Sequence, residues 1–445
     1  ISLTSSLAFW EQNFTVNDKL DWDRSIEWMM QESHKKGVFD PDRIRGRGAW
    51  VDARRVIFHL GMRMVVDNRE QLVSDGLASH YFYEHAKPLD GPSDKPLQDE
   101  SATELFKLAQ QFSWESPSYG FLLAGWVALA PVCGAIQWRP HIWITGGKGT
   151  GKTTILSRYI RPLLGGVYQT ATGGTTEPGL RAALRSDAIP VLFDEFEQND
   201  SKEKQNVQNV LAMARIASSE GGKIIKGTSG GGPAAQYEIR SMFCVSSINV
   251  ALVQGADRDR FCVLSLKRTS GDWTPLEARI IEHCTPEAGR SLLARTLEHL
   301  PTIRTNARTF ATALAREHGQ RFGDQHGTLL AGAFSLTAQS NRQISADEAA
   351  TFCSRIDWSS QRRDERDADE DQCLARISES MISVEGGKKL TIMNLIESLC
   401  GPRMGNIDGS DETADKILGR YGIKAKQGSL FIANSNTNLE SLLRN

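Results

Sequence analysis

The run Gly146-Gly147-Lys148-Gly149-Thr150-Gly151-Lys152-Thr153 has the residue types and the spacing to hold a chain of phosphates. It satisfies G-x-x-x-x-G-K-[ST], the P-loop pattern. Glycines let the backbone take positive φ and come close to an anion, and consecutive N–H groups at the mouth of a helix then point at it. Lys152 would reach the β- and γ-phosphates, and the Thr153 hydroxyl, with Thr154 behind it, would ligate Mg²⁺. ATP and Mg²⁺ are therefore the expected cofactors. The other reading, a glycine-rich turn that happens to carry a lysine, leaves unexplained why a strand and a helix flank it in the required order.

Nucleotide hydrolysis also needs an acid to position the metal and a group to orient water. Ile189-Pro190-Val191-Leu192-Phe193-Asp194-Glu195 is an apolar stretch ending in two acids, a Walker B arrangement in which Asp194 would hold Mg²⁺ and Glu195 would orient the attacking water. Pro190 fits at a strand's first position. A second apolar stretch, Met242 to Ile248, leads to Asn249, which a parallel sheet would deliver beside the γ-phosphate; a turn-initiating asparagine is the alternative. Arg258 and Arg260, in Ala256-Asp257-Arg258-Asp259-Arg260, stand just before the next apolar strand, Phe261 to Leu266. Either could act as an arginine finger on a neighbouring subunit's nucleotide, Arg260 first, or pair with the adjacent acids on the surface.

The elements that must position these groups follow from periodicity. Ile142-Trp143-Ile144 is a β-prone run entering the P-loop, and Thr154 to Tyr159 leaves it as a helix with Leu156 and Ile160 inward. Gly120 to Ile136 is uncharged for almost the length of a transmembrane helix, yet Pro131 and Gly134 interrupt it, and it is expected to be a buried helix beneath the sheet. Ahead of Met242 lie Lys223 to Thr228, the glycine turn Ser229-Gly230-Gly231-Gly232-Pro233, and Ala234 to Arg240, which read as strand, turn, strand. On this hairpin Lys223, Lys226 and Arg240 could neutralise nucleic-acid phosphates; alternatively it covers a sheet edge. Beyond Lys267, apolar spacing gives helices over 274–300, 306–319 and 327–339, where Arg290 and Arg295 read as ordinary surface arginines rather than a second phosphate sensor.

With these residues in hand, the chain resembles the replicative helicase module of phage and mobile-element primase–helicases, an AAA+ group near superfamily 3 and the minichromosome-maintenance helicases. The resemblance rests on G-G-K-G-T-G-K-T-T, E-P-G-L-R-A-A-L-R-S-D-A-I-P-V-L-F-D-E-F-E, A-R-I-A-S-S-E, K-G-T-S-G-G-G and A-D-R-D-R-F, and spans roughly residues 43 to 335. It implies an α/β fold with an AAA+ P-loop core, a parallel sheet between helices, followed by a helical lid. It also implies a hexameric ring, ATP hydrolysed between subunits, translocation along single-stranded DNA, and a hairpin that grips DNA in the channel. The hairpin tip here departs from that pattern by lacking a basic or aromatic residue at its apex.

A chain of 445 residues is too long for one core. The expected units are an N-terminal α+β domain (1–100), the ATPase core (101–270), the lid (271–358), a charged linker or helix (359–380) and a winged-helix-like domain (381–445). In the first, residues 1–38 read as helices with core aromatics. Residues 43–68 read as a small antiparallel sheet whose Arg43, Arg45, Arg47, Arg54, Arg55 and Arg63 form either a solvated face or a phosphate-tracking collar. Pro, Gly, Ser and Asp over 87–101 mark a linker. In the last unit Lys416, Arg420, Lys424 and Lys426 leave duplex DNA and a docked partner both open. Net charge is −2, so nucleic acid must be held by a local basic surface. Seven cysteines without C-x-x-C pairing or zinc-spaced histidines are read as reduced core thiols of a cytoplasmic protein. No signal peptide opens the chain, which starts at Ile1, so an upstream domain such as a primase is an expected neighbour.

The expected function is an ATP-dependent replicative DNA helicase acting on single-stranded DNA as a homo-oligomeric ring, with no membrane partner. Two rivals stand beside it. An AAA+ ATPase that remodels a protein would hydrolyse ATP indifferently to DNA, and a replication initiator would use ATP to lock itself on origin duplex.

Overall fold

The computed structural model describes residues 7–443 apart from 18, 38–39, 68, 197–200, 227–234, 253, 269–271, 338–340, 362–372, 375–376, 379, 384–388, 401–412 and 427–428. Two helices come first, α1 (Leu7–Phe14) and α2 (Trp22–Lys36), as their apolar spacing predicts. Phe9, Trp10, Phe14 and Trp28 pack ring on ring between them, with centroids 5.2–5.9 Å apart. These aromatics hold the two helices together.

An antiparallel meander follows: β1 (Gly48–Asp52), β2 (Arg55–His59), β3 (Arg63–Val66) and β4 (Arg69–Leu72). Most arginines of this segment are used within the chain. Arg43 donates to the His80 carbonyl at 2.5 Å, Arg45 lies between the Trp50 and Tyr81 rings, and Arg47 pairs with Asp187 at 2.5 Å. Arg55 faces Asp52 at 3.6 Å and Arg63 meets Glu70 at 2.7 Å. The 87–101 stretch is strapped down as well: Leu89 N–H donates to Leu60, Ser93 to Arg290 and Leu97 to Ser291, at 2.9–3.1 Å.

Helices α3 (Asp99–Gln110) and α4 (Ser118–Leu129) lead into the central layer. One stretch, Ser118–Ala135, is long and apolar enough to cross a membrane, and 94% of it is buried inside the fold. Past α4 it tightens into a 3₁₀ turn, Ala130–Ala135, at Pro131, which cannot supply a helical N–H. The sheet beside it has five parallel strands: β5 (His141–Gly146), β6 (Gln169–Thr172), β7 (Val191–Asp194), β10 (Phe243–Ser247) and β11 (Phe261–Leu266), in the order β6-β7-β10-β5-β11. The intervening segments supply α5 (Glu177–Leu184), α6 (Ser201–Ala217) and the two-stranded hairpin β8 (Lys223–Lys226) and β9 (Ala235–Glu238). The molecule is thus a mixed α/β protein with a parallel sheet flanked by helices, compatible with a P-loop core.

Four helices follow: α7 (Thr274–His283), α8 (Pro286–His318), α9 (Gln320–Phe334) and α10 (Ala346–Ser354). The sequence predicts a break near Pro301, but α8 runs through it for 33 residues. A helical proline costs a hydrogen bond, yet Leu300 and Ile303 beside it are buried and keep the helix continuous. Close helix crossings explain several glycines. A Cβ on Gly125 of α4 would lie 1.9 Å from the Leu329 carbonyl oxygen of α9, and one on Gly332 would lie 2.5 Å from that of Gly125. One hydrophobic core runs from Ala49 to Trp358.

A second core, including Ile382, Ile392, Leu395, Ile417, Leu418, Ile423 and Leu439, serves the C-terminal segment. Its elements are the strand pair β12 (Met381–Ser383) and β13 (Lys389–Thr391), α11 (Ile392–Cys400), α12 (Ala414–Arg420), the hairpin β14 (Ile423–Lys426) and β15 (Ser429–Ile432), and α13 (Thr437–Leu443). The segment thus holds three helices and two strand pairs among the described residues. The β12–β13 pair is not legible in the sequence, because two three-residue strands are too short to show a period. The charge-dense tract at 362–372 lies outside the described residues.

Candidate functional site

Parallel pairing puts the carboxyl ends of β5, β7 and β10 on one edge. Thr145 lies opposite Ser247, and Phe193 opposite Val245, so Gly146, Asp194 and the Ile248-Asn249 turn cluster there. β10 is the single strand between β5 and β7, and at about 4.8 Å per strand Asp194 stands roughly 10 Å from the P-loop strand. β6, β7 and β10 lie to one side of β5 and β11 to the other, so the crossovers diverge at β5, the position at which open α/β sheets form their ligand crevice.

The loop after β5 has the backbone a phosphate cradle requires. Gly149 and Gly151 have φ of +80° and +96°, and a Cβ at either would meet nothing within 4 Å, so conformation rather than crowding demands glycine at both; Gly147 likewise faces open space. Gly146 is crowded as well: a Cβ there would lie 2.7 Å from the Leu266 carbonyl oxygen and 2.8 Å from Thr150 Oγ1. Lys152 Nζ folds back onto the carbonyls of Gly146 (2.5 Å) and Gly147 (3.2 Å), and Thr150 Oγ1 donates to Gly147 (3.0 Å). Lys148 and Thr153 are exposed, and Thr154 is half-buried. The helix that starts at Lys152 widens to a π-turn over Ile155–Ile160, burying Ile155, Leu156, Tyr159 and Ile160, and Tyr159 donates to the Leu105 carbonyl at 2.8 Å.

At the end of β7 the half-buried Asp194 accepts the Glu195 N–H at 3.2 Å. Glu195 has φ of +54°, uncommon for a side-chain-bearing residue, and the next residue, buried Phe196, donates its N–H to Ser246 at 2.9 Å. The sharp bend between two anchored neighbours turns the Glu195 carboxylate out into solvent. Asn249 is exposed on the same edge. Three residues that sequence reasoning passed over set its turn: Trp143 Nε1 donates to Ser247 Oγ (2.8 Å), Ser247 Oγ to the Asn249 carbonyl (2.6 Å) and Thr145 Oγ1 to the Ile248 carbonyl (2.8 Å). A hydroxyl at the end of each apolar strand was the available signal. No group of three or more His, Cys, Asp or Glu gathers for a metal among the described residues. Thr153 and Asp194 are the residues of this edge that could hold Mg²⁺, an ion that keeps waters and phosphate oxygens as its other ligands.

Arg258 and Arg260 sit elsewhere. Phe261 pairs with His141, at the opposite end of the sheet from Gly146, so Arg260, one residue further, is about 20 Å along the strand from its own P-loop. It is half-buried and donates to Ala256 O (2.5 Å) and Ser218 Oγ (3.1 Å), while Arg258 donates to Leu252 O (3.1 Å). The intervening acids pair outside the motif, Asp257 with Arg215 at 3.1 Å and Asp259 with Arg321. The hairpin lysines and arginine also divide. Lys223 Nζ meets Asp42 at 2.5 Å and Arg240 meets Glu238 at 2.6 Å, whereas Lys226 is exposed with no partner among the described residues. The tip, 227–234, lies outside the described residues. Arg290 pairs with Glu287 at the surface, whereas Arg295 is not the surface arginine expected: it is buried and donates to Leu97 O (2.7 Å) and Asp99 (2.6 Å).

A separate hollow of about 640 Å³ between β3, β4 and α8 is lined by Glu70, Asp90, Asp94, Glu287 and Glu298 against Arg63 and Arg290, a balance that repels phosphates. It shares no element with the strand edge.

No protein-family model and no curated protein sequence matches the chain. Among solved structures, the apo C-terminal region of NrS-1 aligns at 13% identity and a TM-score of 0.28 over 77% of this chain and 94% of that one. Its A-form apo structure aligns at 13% and 0.28 over 82% and 98%. At that level of similarity neither structure bears on the function of this chain.

Proposed function

We propose that this chain is an ATP-dependent DNA helicase that moves along single-stranded DNA as a homo-oligomeric, hexameric ring in the cytoplasm, with an upstream domain such as a primase as its partner. The observation that supports this most is the strand order, which brings the glycine loop, the Asp194-Glu195 pair and Asn249 to one edge. In this reading Gly146 to Thr154 hold ATP, Thr153 and Asp194 hold Mg²⁺, and Mg²⁺ neutralises charge on the phosphates. Lys152 leaves the loop carbonyls for the phosphates, Glu195 orients water and Asn249 faces the γ-phosphate. Arg260, with Arg258 second, serves the neighbouring subunit, since it lies a strand's length from its own loop. Lys226 meets DNA phosphates, while Lys223 and Arg240 anchor the hairpin's base.

The test is ATP hydrolysis with and without single-stranded DNA in the wild type, Glu195→Gln and Lys226→Ala. DNA should stimulate turnover, Glu195→Gln should abolish it while ATP still binds, and Lys226→Ala should lose the stimulation alone. Hydrolysis indifferent to DNA in every variant would sink the helicase reading in favour of protein remodelling. Negligible turnover with sequence-selective duplex binding would favour an initiator.

A further inference from the structure

The β14–β15 hairpin has two unlike faces. Ile423 is buried in the C-terminal core, and Ile432, directly opposite it, packs against that core. Alternation turns the other residues outward: Lys424 pairs across the strands with Phe431, and Lys426 with Ser429, so both lysines and the phenylalanine share the solvent face. Phe431 is 58% exposed, and Lys424 and Lys426 are exposed with no partner among the described residues. An aromatic ring held in water beside two cations unpaired among the described residues is an unsatisfied surface, and the ligand that answers it offers both a π-face and negative charge.

We propose that this face is a nucleic-acid contact separate from the ATPase hairpin, taking single-stranded DNA with phosphates on Lys424 and Lys426 and one base stacked on Phe431. A single strand is favoured over duplex because stacking needs an unpaired base. The contact stands independently of the ATPase reading, since none of its residues belongs to the nucleotide edge.

The full chain in a Lys226→Ala background, without nucleotide, is titrated by fluorescence anisotropy against labelled oligothymidine, an abasic strand of equal length and a blunt duplex. Phe431→Ala should weaken oligothymidine binding roughly 5- to 100-fold, leave the abasic strand unaffected and be rescued by Phe431→Trp. Lys424→Ala with Lys426→Ala should lower the salt slope by about 1.4, two phosphates at roughly 0.7 each. Unchanged melting temperatures confirm folding, as all three side chains point to solvent. Equal losses on thymidine and abasic strands, tighter binding of the blunt duplex, or no effect of either change would overturn the proposal. Loss of DNA-stimulated turnover in Lys226→Ala alone bears on the helicase reading and leaves this one standing.

Discussion

Replacing Asp187 by Ala decides what the arginines of the N-terminal sheet are for. Asp187 accepts three N–H groups from Arg47: the backbone amide at 2.6 Å, Nε at 3.0 Å and a terminal nitrogen at 2.5 Å. The pair is largely buried, with side chains 9% and 17% exposed. Beside it, Gly46 N–H donates to Ser186 and Ala188 N–H to Arg47, stitching the N-terminal segment to the stretch that enters β7. Breaking a buried pair costs about 3–5 kcal/mol, and the residual exposure of Arg47 favours the lower end, so Asp187→Ala should cost about 3 kcal/mol. Arg47→Ala leaves its backbone amide on Asp187 and should cost about 2 kcal/mol. The double variant should fall short of the sum by about 1–2 kcal/mol. Guanidinium unfolding followed by tryptophan fluorescence, with calorimetry to check that the transition is single, reads the cycle. Strict additivity, or an Asp187→Ala cost below about 0.5 kcal/mol, would refute the structural role. A collar arginine would behave differently: Arg47→Ala would weaken DNA binding while leaving stability and Asp187 indifferent.

Gly125→Ala should destabilise by about 1–3 kcal/mol despite the gain of about 1 kcal/mol in helix propensity, because its Cβ meets the α9 backbone; an unchanged melting temperature would contradict this packing. Stability should also fall in mild acid. Burial holds the His326 imidazole at about 4 and that of His141 at about 3, below the ordinary 6.5, so the unfolded chain takes up protons first. Their contribution is complete above pH 6.5 and is lost as pH falls toward 4, by about 3 kcal/mol for His326 at 1.36 kcal/mol per pH unit. His326→Gln should flatten that part of the stability–pH curve, and a curve of unchanged slope would count against it. Finally, Arg260→Ala and Glu195→Gln subunits, each inactive alone, should regain hydrolysis when mixed, since one interface then holds an intact pair; no recovery would place Arg260's role within its own subunit.

Strand ends were legible because chemistry and periodicity coincide there: Ile142 to Ile144, Val191 to Phe193 and Phe243 to Val245 are buried runs, and the residues that follow are polar. The two N-terminal helices and the buried α4 were legible for the same reason. Arginine partners were not, because an ion pair such as Arg47–Asp187 joins residues 140 positions apart and leaves no local pattern. Lys223 looked like a free DNA contact in sequence for that reason, since Asp42, which holds it, is 181 positions away; Arg240's partner, Glu238, stands two residues before it and was simply passed over. Pro301 misled in the opposite sense, since burial on both sides of it outweighs the proline's local cost.

Helix α6 spans most of the chain between Glu195 and the β8–β9 hairpin. It begins shortly after Glu195 and ends at Ala217, where the buried Arg139 guanidinium donates to the carbonyls of Ile136, Ala217 and Ser219 at 2.5–2.6 Å. The next residue, Ser218, accepts from Arg260, and five residues on, Lys223 starts the hairpin. On the proposed reading, Arg260, about 20 Å along the strand from the P-loop of its own chain, meets a nucleotide across a head-to-tail contact, in which the amino-terminal edge of one sheet faces the carboxyl-terminal edge of the next. A heterologous interface of that kind gives a ring where its rotation closes and an open filament where it does not, so electron microscopy of the assembled chain distinguishes the two.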